Sequence, residues 1–249
     1  MKRRAAYLLL IIFLLQTAFG LLFRQMEATE YIRLLVTQGA ALFLPSVVYL
    51  LLYRMPAANA QGRGLTGINV LLSVVLMVCT GILSQLLNAP IAQLLAGYDG
   101  LSAAQPQMPR TNFEFLLSVL FLCVIPAIIE ELLFRGIVLR EYVPVYGAKR
   151  AIVLSAAIYT IFHFDLSACM PQFFIGLVTA ILVYRTGSLA MGMVAHFTNN
   201  FLSLMIQLHT EWFAEALTVH MALVLLCACC LLIIAWLGVW FYNPRRGTV

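Results

Sequence analysis

Long apolar runs separated by short polar connections make up most of the chain. A membrane-spanning helix needs about 20 mostly apolar residues, and runs of that order occupy 5–23, 34–53, 66–88, 189–208 and 217–242. Another starts near Phe113, stays apolar to Ile129 and then meets charge. Two shorter runs, 150–164 and 170–184, are divided by Asp165 and Pro171. Together they are too long for one helix, so they predict two. The pattern predicts an all-α polytopic membrane protein of about eight helices, forming a single integral membrane domain over 1–249. The longest outer connection, 89–112, is predicted to hold a short interfacial helix around 90–97.

Composition agrees. Apolar residues make up 63% and charged residues 10%, with mean hydropathy +0.98. Soluble domains carry about 25% charged residues, so a water-soluble globule is excluded. The cysteines (Cys79, Cys123, Cys169, Cys227, Cys229, Cys230) lie in or beside apolar runs with no metal-ligand spacing, and read as small packing residues.

The excess of Lys and Arg reads first as a topology signal, and it points to no nucleic acid. A cytoplasmic N-terminus places Lys2, Arg3, Arg4, Arg54, Arg63, Arg140, Lys149, Arg150, Arg185, Arg245 and Arg246 inside. Only Arg24, Arg33 and Arg110 then fall outside. The expected setting is the plasma (cell inner) membrane with both termini cytoplasmic, membrane lipid as surroundings and the first helix uncleaved.

Three ionisable groups do not fit a purely topological role: Glu130, Glu131 and Arg135 lie inside the fourth run. A charge at mid-bilayer costs at least about 2.5–3.5 kcal/mol on insertion scales. Glu131 and Arg135 are spaced i,i+4 in the favourable order and can neutralise each other. Glu130 points about 100° away and has no partner on its own helix. Pro126, four residues earlier, removes a backbone hydrogen bond beside it. His163 ends the fifth run, and His196 and Asn200 share a face of the seventh. Measured from the cytoplasmic ends at about 1.5 Å per residue, all four polar groups fall in one layer roughly 8 Å thick, displaced slightly toward the cytoplasm. His209, His220 and the tryptophans read as interfacial or packing residues.

These residues resemble a family, the CPBP intramembrane proteases (CAAX protease and bacteriocin-processing, also called ABI), which include the type II CAAX prenyl endopeptidases. The pattern E-E-x-x-x-R, aromatic-x-x-x-H, H-x-x-x-N appears in order as Glu130-Glu131-x-x-x-Arg135, Tyr159-x-x-x-His163 and His196-x-x-x-Asn200. Tyr159 replaces the usual Phe. The match covers about 113–208, which the resemblance makes the catalytic core, with a conical or bundle-like intramembrane cavity. It implies an endopeptidase in which Glu130 activates water, His163 assists, and His196 and Asn200 hold the substrate carbonyl or oxyanion. Glu131 and Arg135 would support the helix, and cleavage would occur in a cavity open to the cytoplasm. The chemistry agrees, since a desolvated carboxylate is a better base and His N–H and Asn amide groups can donate to an oxyanion.

A divalent metal such as Zn²⁺, held by Glu130, His163 and His196, is the alternative to a metal-free site. The substrate is a membrane-associated peptide or protein, prenylated C-a-a-X or bacteriocin-related. From a different class, a proton- or ion-coupled transporter would use Glu130 and the histidines as a relay. It would be expected to show inverted repeats with interrupted helices, and the sequence offers no convincing ones. A non-catalytic scaffold that keeps the fold is the third reading.

Overall fold

A computed structural model describes residues 2–24, 26, 29–55, 65–95, 108–211, 224, 227–232 and 234–235. The chain is a polytopic all-α membrane protein, and no strand occurs among the described residues. Among the described residues, six helices are long and apolar enough to cross a membrane. In chain order the elements are α1 (Lys2–Arg24), α2 (Tyr31–Leu52), α3 (Gly67–Leu95), α4 (Asn112–Tyr146), α5 (Ala148–Ile161), α6 (Cys169–Thr186) and α7 (Leu189–Leu208). Of the eight runs read from sequence, 150–164 forms α5, a 14-residue helix shorter than a full span. The run 217–242 lies largely outside the described residues. The helix expected at 90–97 is not separate: α3 continues through Pro90 to Leu95.

Two of the long helices are not α-helical throughout. Wide, i→i+5 bonded turns occupy Leu35–Phe43 in α2, and Val119–Val124 and Leu132–Leu139 in α4. Pro45 and Pro126 each sit at the start of the α-helical stretch that follows such a segment, and Pro144 follows the third. A proline in a helix leaves a carbonyl without its N–H and crowds the preceding turn. A widened turn just ahead of it relieves that crowding. The α-helical stretch Ile125–Glu131, between two wide segments, carries the two adjacent glutamates.

Two apolar clusters hold the bundle together. One joins α1, α2, α4 and α5 through Leu9, Ile12, Leu42, Phe134, Ile137 and Tyr159. The other joins α3, α6 and α7 through Met77, Ile175, Leu182 and Ala195. Leu10, Ile11 and Leu14 on α1 and Leu51 and Leu52 on α2 stay exposed, as lipid-facing positions should. Cys79 and Cys123 are buried packing residues as expected, whereas Cys227 and Cys230 are exposed.

Without a hydrophobic force between helices in lipid, close approach through small residues supplies much of the packing. A Cβ on Gly176 of α6 would stand 3.1 Å from Ala156 Cα and from Tyr159 Cδ1 on α5. A Cβ on Gly192 of α7 would stand 2.6 Å from both Glu131 Oε2 and Val183 Cγ2. Gly192→Ala should therefore destabilise the protein by about 1–3 kcal/mol, the usual range for overpacking. Gly39→Ala, whose Cβ meets nothing within 4 Å, should be neutral or slightly stabilising. Thermal unfolding of the detergent-solubilised protein checks both.

Candidate active site

The deepest polar group is a neutralised cluster around Glu131. Arg135 Nη1 donates to Glu131 Oε1 at 2.7 Å, and neither side chain is exposed. Arg135 Nη2 donates to the Gly176 carbonyl on α6 at 2.8 Å, and the guanidinium lies 4.8 Å from the centre of the Tyr159 ring. His196 Nδ1 stands 3.1 Å from the same Glu131 oxygen. One carboxylate thus ties α4 to α7 directly and to α6 through its arginine. The i,i+4 pair read from sequence is present, and His196 joins it.

This contact orients the His196 ring. A carboxylate only accepts, so Nδ1 carries the proton, and in the neutral ring Nε2 presents a lone pair. Tyr159 Oη lies 3.2 Å from that Nε2 and donates to it. His163 is oriented in the same way. It sits in the turn just past α5, where its Nδ1 donates to the Tyr159 carbonyl at 2.8 Å, leaving Nε2 as the acceptor.

Both acceptor nitrogens face Glu130. Its Oε2 lies 3.6 Å from His163 Nε2 and 3.8 Å from His196 Nε2, and makes no hydrogen bond among the described residues. Separations of this length suit a bridging water better than a direct bond. The other oxygen, Oε1, accepts from Gln38 Nε2 of α2 at 2.8 Å. Glu130 and His196 are almost fully buried, whereas the His163 side chain keeps 27% of its exposure. The site opens into a cavity of ≈ 220 Å³ between α1, α2, α4 and the turn after α5, lined among others by Gln38, Glu130, Phe134 and His163.

The structure therefore brings Glu130, His163 and His196 together around one carboxylate oxygen. Asn200 shares a helix face with His196, but its Nδ2 donates to the Leu122 carbonyl in the wide segment Val119–Val124 at 3.2 Å. Its Oδ1 accepts from Asn199. Asn200 fastens α7 to α4 rather than pointing its amide at Glu130.

Two residues were missed from sequence. Gln38 bonds Glu130 directly, and Gln16 lines the cavity. Both are amides inside otherwise apolar runs, and the rule that singles out intramembrane charges would have found them had it been applied to uncharged polar groups.

Among the described residues, no three His, Cys, Asp or Glu side chains are arranged to hold an ion. His196 Nε2 already accepts from Tyr159. The side chains as placed do not form a ligand set.

Residues 112–202 match the family model described as type II CAAX prenyl endopeptidase Rce1-like. That stretch contains Glu130, Glu131, Arg135, Tyr159, His163, His196 and Asn200. No curated protein and no solved structure matches the chain.

Removing one partner of a buried ion pair strands the other charge, at about 3–5 kcal/mol. Arg135→Met should therefore lower stability by that order. The double variant Glu131→Gln/Arg135→Met should recover part of the loss, because no lone charge remains. Unfolding in detergent of the two variants and the parent measures the difference.

Proposed function

We propose that the chain, whose residues 112–202 match the type II CAAX prenyl endopeptidase Rce1-like model, is a CAAX-type peptidase of the membrane and that Glu130 is the base of its hydrolytic site. The observation that carries this reading is Glu130 Oε2, buried and held 3.6 and 3.8 Å from two imidazole nitrogens that both present lone pairs. Three acceptors facing one point call for a proton donor between them, and a water molecule supplies two protons.

Glu130 takes a proton from that water as its oxygen attacks the scissile carbonyl carbon. The carbonyl π bond opens and the electron pair moves to oxygen. The tetrahedral species then collapses, the C–N bond breaks, and the proton held by Glu130 passes to the departing amine. His163, the more exposed of the two rings, assists this transfer. His196 is assigned to the oxyanion, donating from Nε2 once the imidazole is protonated, which also frees the Tyr159 hydroxyl to donate. Gln38 holds the second Glu130 oxygen, so that Oε2 remains the basic one. Asn200 is assigned to the oxyanion as well, through the second Nδ2 proton, the first being engaged by the Leu122 carbonyl.

Glu130→Gln should reduce peptide hydrolysis by roughly 10²–10⁴-fold, the range for general-base removal, while the protein still folds. The assay follows quenched fluorescent peptides, with and without a prenylated C-a-a-X end, in detergent, where both faces are accessible. Hydrolysis retained in Glu130→Gln would overturn the mechanism. Proton-driven solute flux in proteoliposomes without any peptide product would instead favour the transporter.

Tyr159→Phe restores the residue usual in the second motif and removes only the hydroxyl. The expected result is an unchanged fold with a shifted pH–rate profile, because His196 loses its hydroxyl partner at Nε2. An unaltered profile would remove Tyr159 from the reaction.

A further inference from the structure

The helices α1 and α2 precede the matched segment 112–202, yet they supply one wall of the cavity beside Glu130. Gln16 of α1 and Thr37, Gln38 and Leu42 of α2 line it. The volume, ≈ 220 Å³, is several times the roughly 30 Å³ that one water takes in the liquid. The three α2 residues all lie in the wide segment Leu35–Phe43. In an ordinary helix Thr37 and Leu42, five residues apart, would point about 140° from each other at 3.6 residues per turn. A wide turn holds more residues, which brings both to the cavity with Gln38 between them, and such turns are frequent at functional sites.

Acceptors predominate on this wall. Gln38 Nε2 donates to Glu130 Oε1 at 2.8 Å, while Gln38 Oε1 is buried with no hydrogen-bond partner among the described residues. Gln16 Oε1 is in the same condition. The Thr37 hydroxyl gives its proton to the Arg33 carbonyl at 2.8 Å, so its oxygen is left to accept. Buried acceptors without partners are costly, and these call for donors on whatever enters.

Two kinds of donor answer that need, an ammonium group and the N–H groups of a peptide backbone. Among the described residues Glu130 is the only carboxylate lining the cavity. An ammonium group would pair with it and occupy the base. Neutral N–H groups satisfy the amide oxygens and leave Glu130 Oε2 to act on water. In an extended peptide every second N–H points to the same edge, which suits acceptors carried on neighbouring helices.

We propose that Gln38 and Gln16 form a main-chain subsite, in which their carbonyl oxygens accept N–H groups of an extended substrate backbone. Gln38 has a second part. One end of its amide meets the peptide and the other holds Glu130, so this positioning residue sets the base in register with the bond to be cut. The subsite reads the backbone, and the substrate side chains fall to Leu42, Phe134 and Phe162. The nature of the ligand rests on the peptidase reading.

The test replaces single amide bonds of the quenched peptide by esters, one position at a time and never at the scissile bond. The exchange removes an N–H with little change of shape. Each peptide is assayed in detergent with the parent, Gln38→Met and Gln16→Met proteins. In the parent, esters at two positions are expected to raise KM by roughly 2–13-fold, the range for one net hydrogen bond. One of these losses disappears in Gln38→Met and the other in Gln16→Met. Gln38→Met also lowers kcat, because Glu130 Oε1 loses its donor, whereas Gln16→Met acts mainly on KM. Gln38→Asn, which keeps the amide one methylene short, replaces Gln38→Met if that variant fails to fold.

A purely structural role would leave the ester losses equal in all three proteins, and that result overturns the proposal. So does the absence of any position-specific loss in the parent. The same peptides, carrying a fluorophore, are titrated by anisotropy against Glu130→Gln with and without the Gln38 and Gln16 substitutions. Hydrolysis without coupling removes the subsite and leaves the peptidase reading. Coupled binding without hydrolysis removes the peptidase reading and leaves the subsite. Peptides that neither bind nor react overturn both.

Discussion

A carboxylate in the interior of a lipid-embedded bundle must carry its own neutralisation, and the placement of Glu131 meets that demand. Its Oε1 is shared between the Arg135 guanidinium and the His196 imidazole. The arginine in turn reaches a backbone carbonyl on α6. Each bond satisfies a group that would otherwise be stranded where water is scarce. The same bonds set the angle of α4 against α6 and α7, and Gly192 leaves the room they require. The second carboxylate, Glu130, stays out of the arginine pair because its neighbour has absorbed that positive charge.

This division of labour between adjacent residues also explains the orientation of the rings. His196 is held through Nδ1 by Glu131, and His163 through Nδ1 by the Tyr159 carbonyl. In both cases the nitrogen away from the anchor is turned to Glu130. Tyr159 takes part three times: its carbonyl holds one histidine, its hydroxyl caps the other and its ring faces the guanidinium. The aromatic position of the second motif is therefore a junction of the polar network as well as a packing residue.

Much of this was legible in the chain. The apolar runs marked six helices and, apart from the far ends of α3 and α4, came close to their bounds, because a 20-residue apolar stretch admits few other structures in lipid. The i,i+4 spacings placed Glu131 with Arg135, and the need to explain buried charge singled out Glu130. What was not legible depended on contacts between distant segments. Gln38 lies 92 positions from Glu130, and an isolated amide in an apolar run carries no periodic signature. Asn200 keeps the same i,i+4 geometry with His196 whether its amide turns to the site or to Leu122, so spacing alone could not tell the two apart. The continuity of α3 through Pro90 was hidden for the opposite reason: proline is a strong local breaker, and tertiary contacts near Asn88 override it.

The wide turns of α4 also have a consequence for how the chain can vary. Six residues, Val119–Val124, form i→i+5 turns just ahead of the glutamates. A residue gained or lost in an ordinary helix rotates everything downstream by about 100°. A wide turn holds more residues than an α turn, so loss of a single residue from this stretch would be absorbed by tightening toward an ordinary helix, and Glu130, Glu131 and Arg135 would keep their bearing. The α-helical stretch Ile125–Glu131 has no such reserve: a residue lost ahead of the glutamates there would swing them round the axis, taking Glu131 from His196 and Glu130 from Gln38. The wide segment is thus the part of α4 that can absorb a change in length.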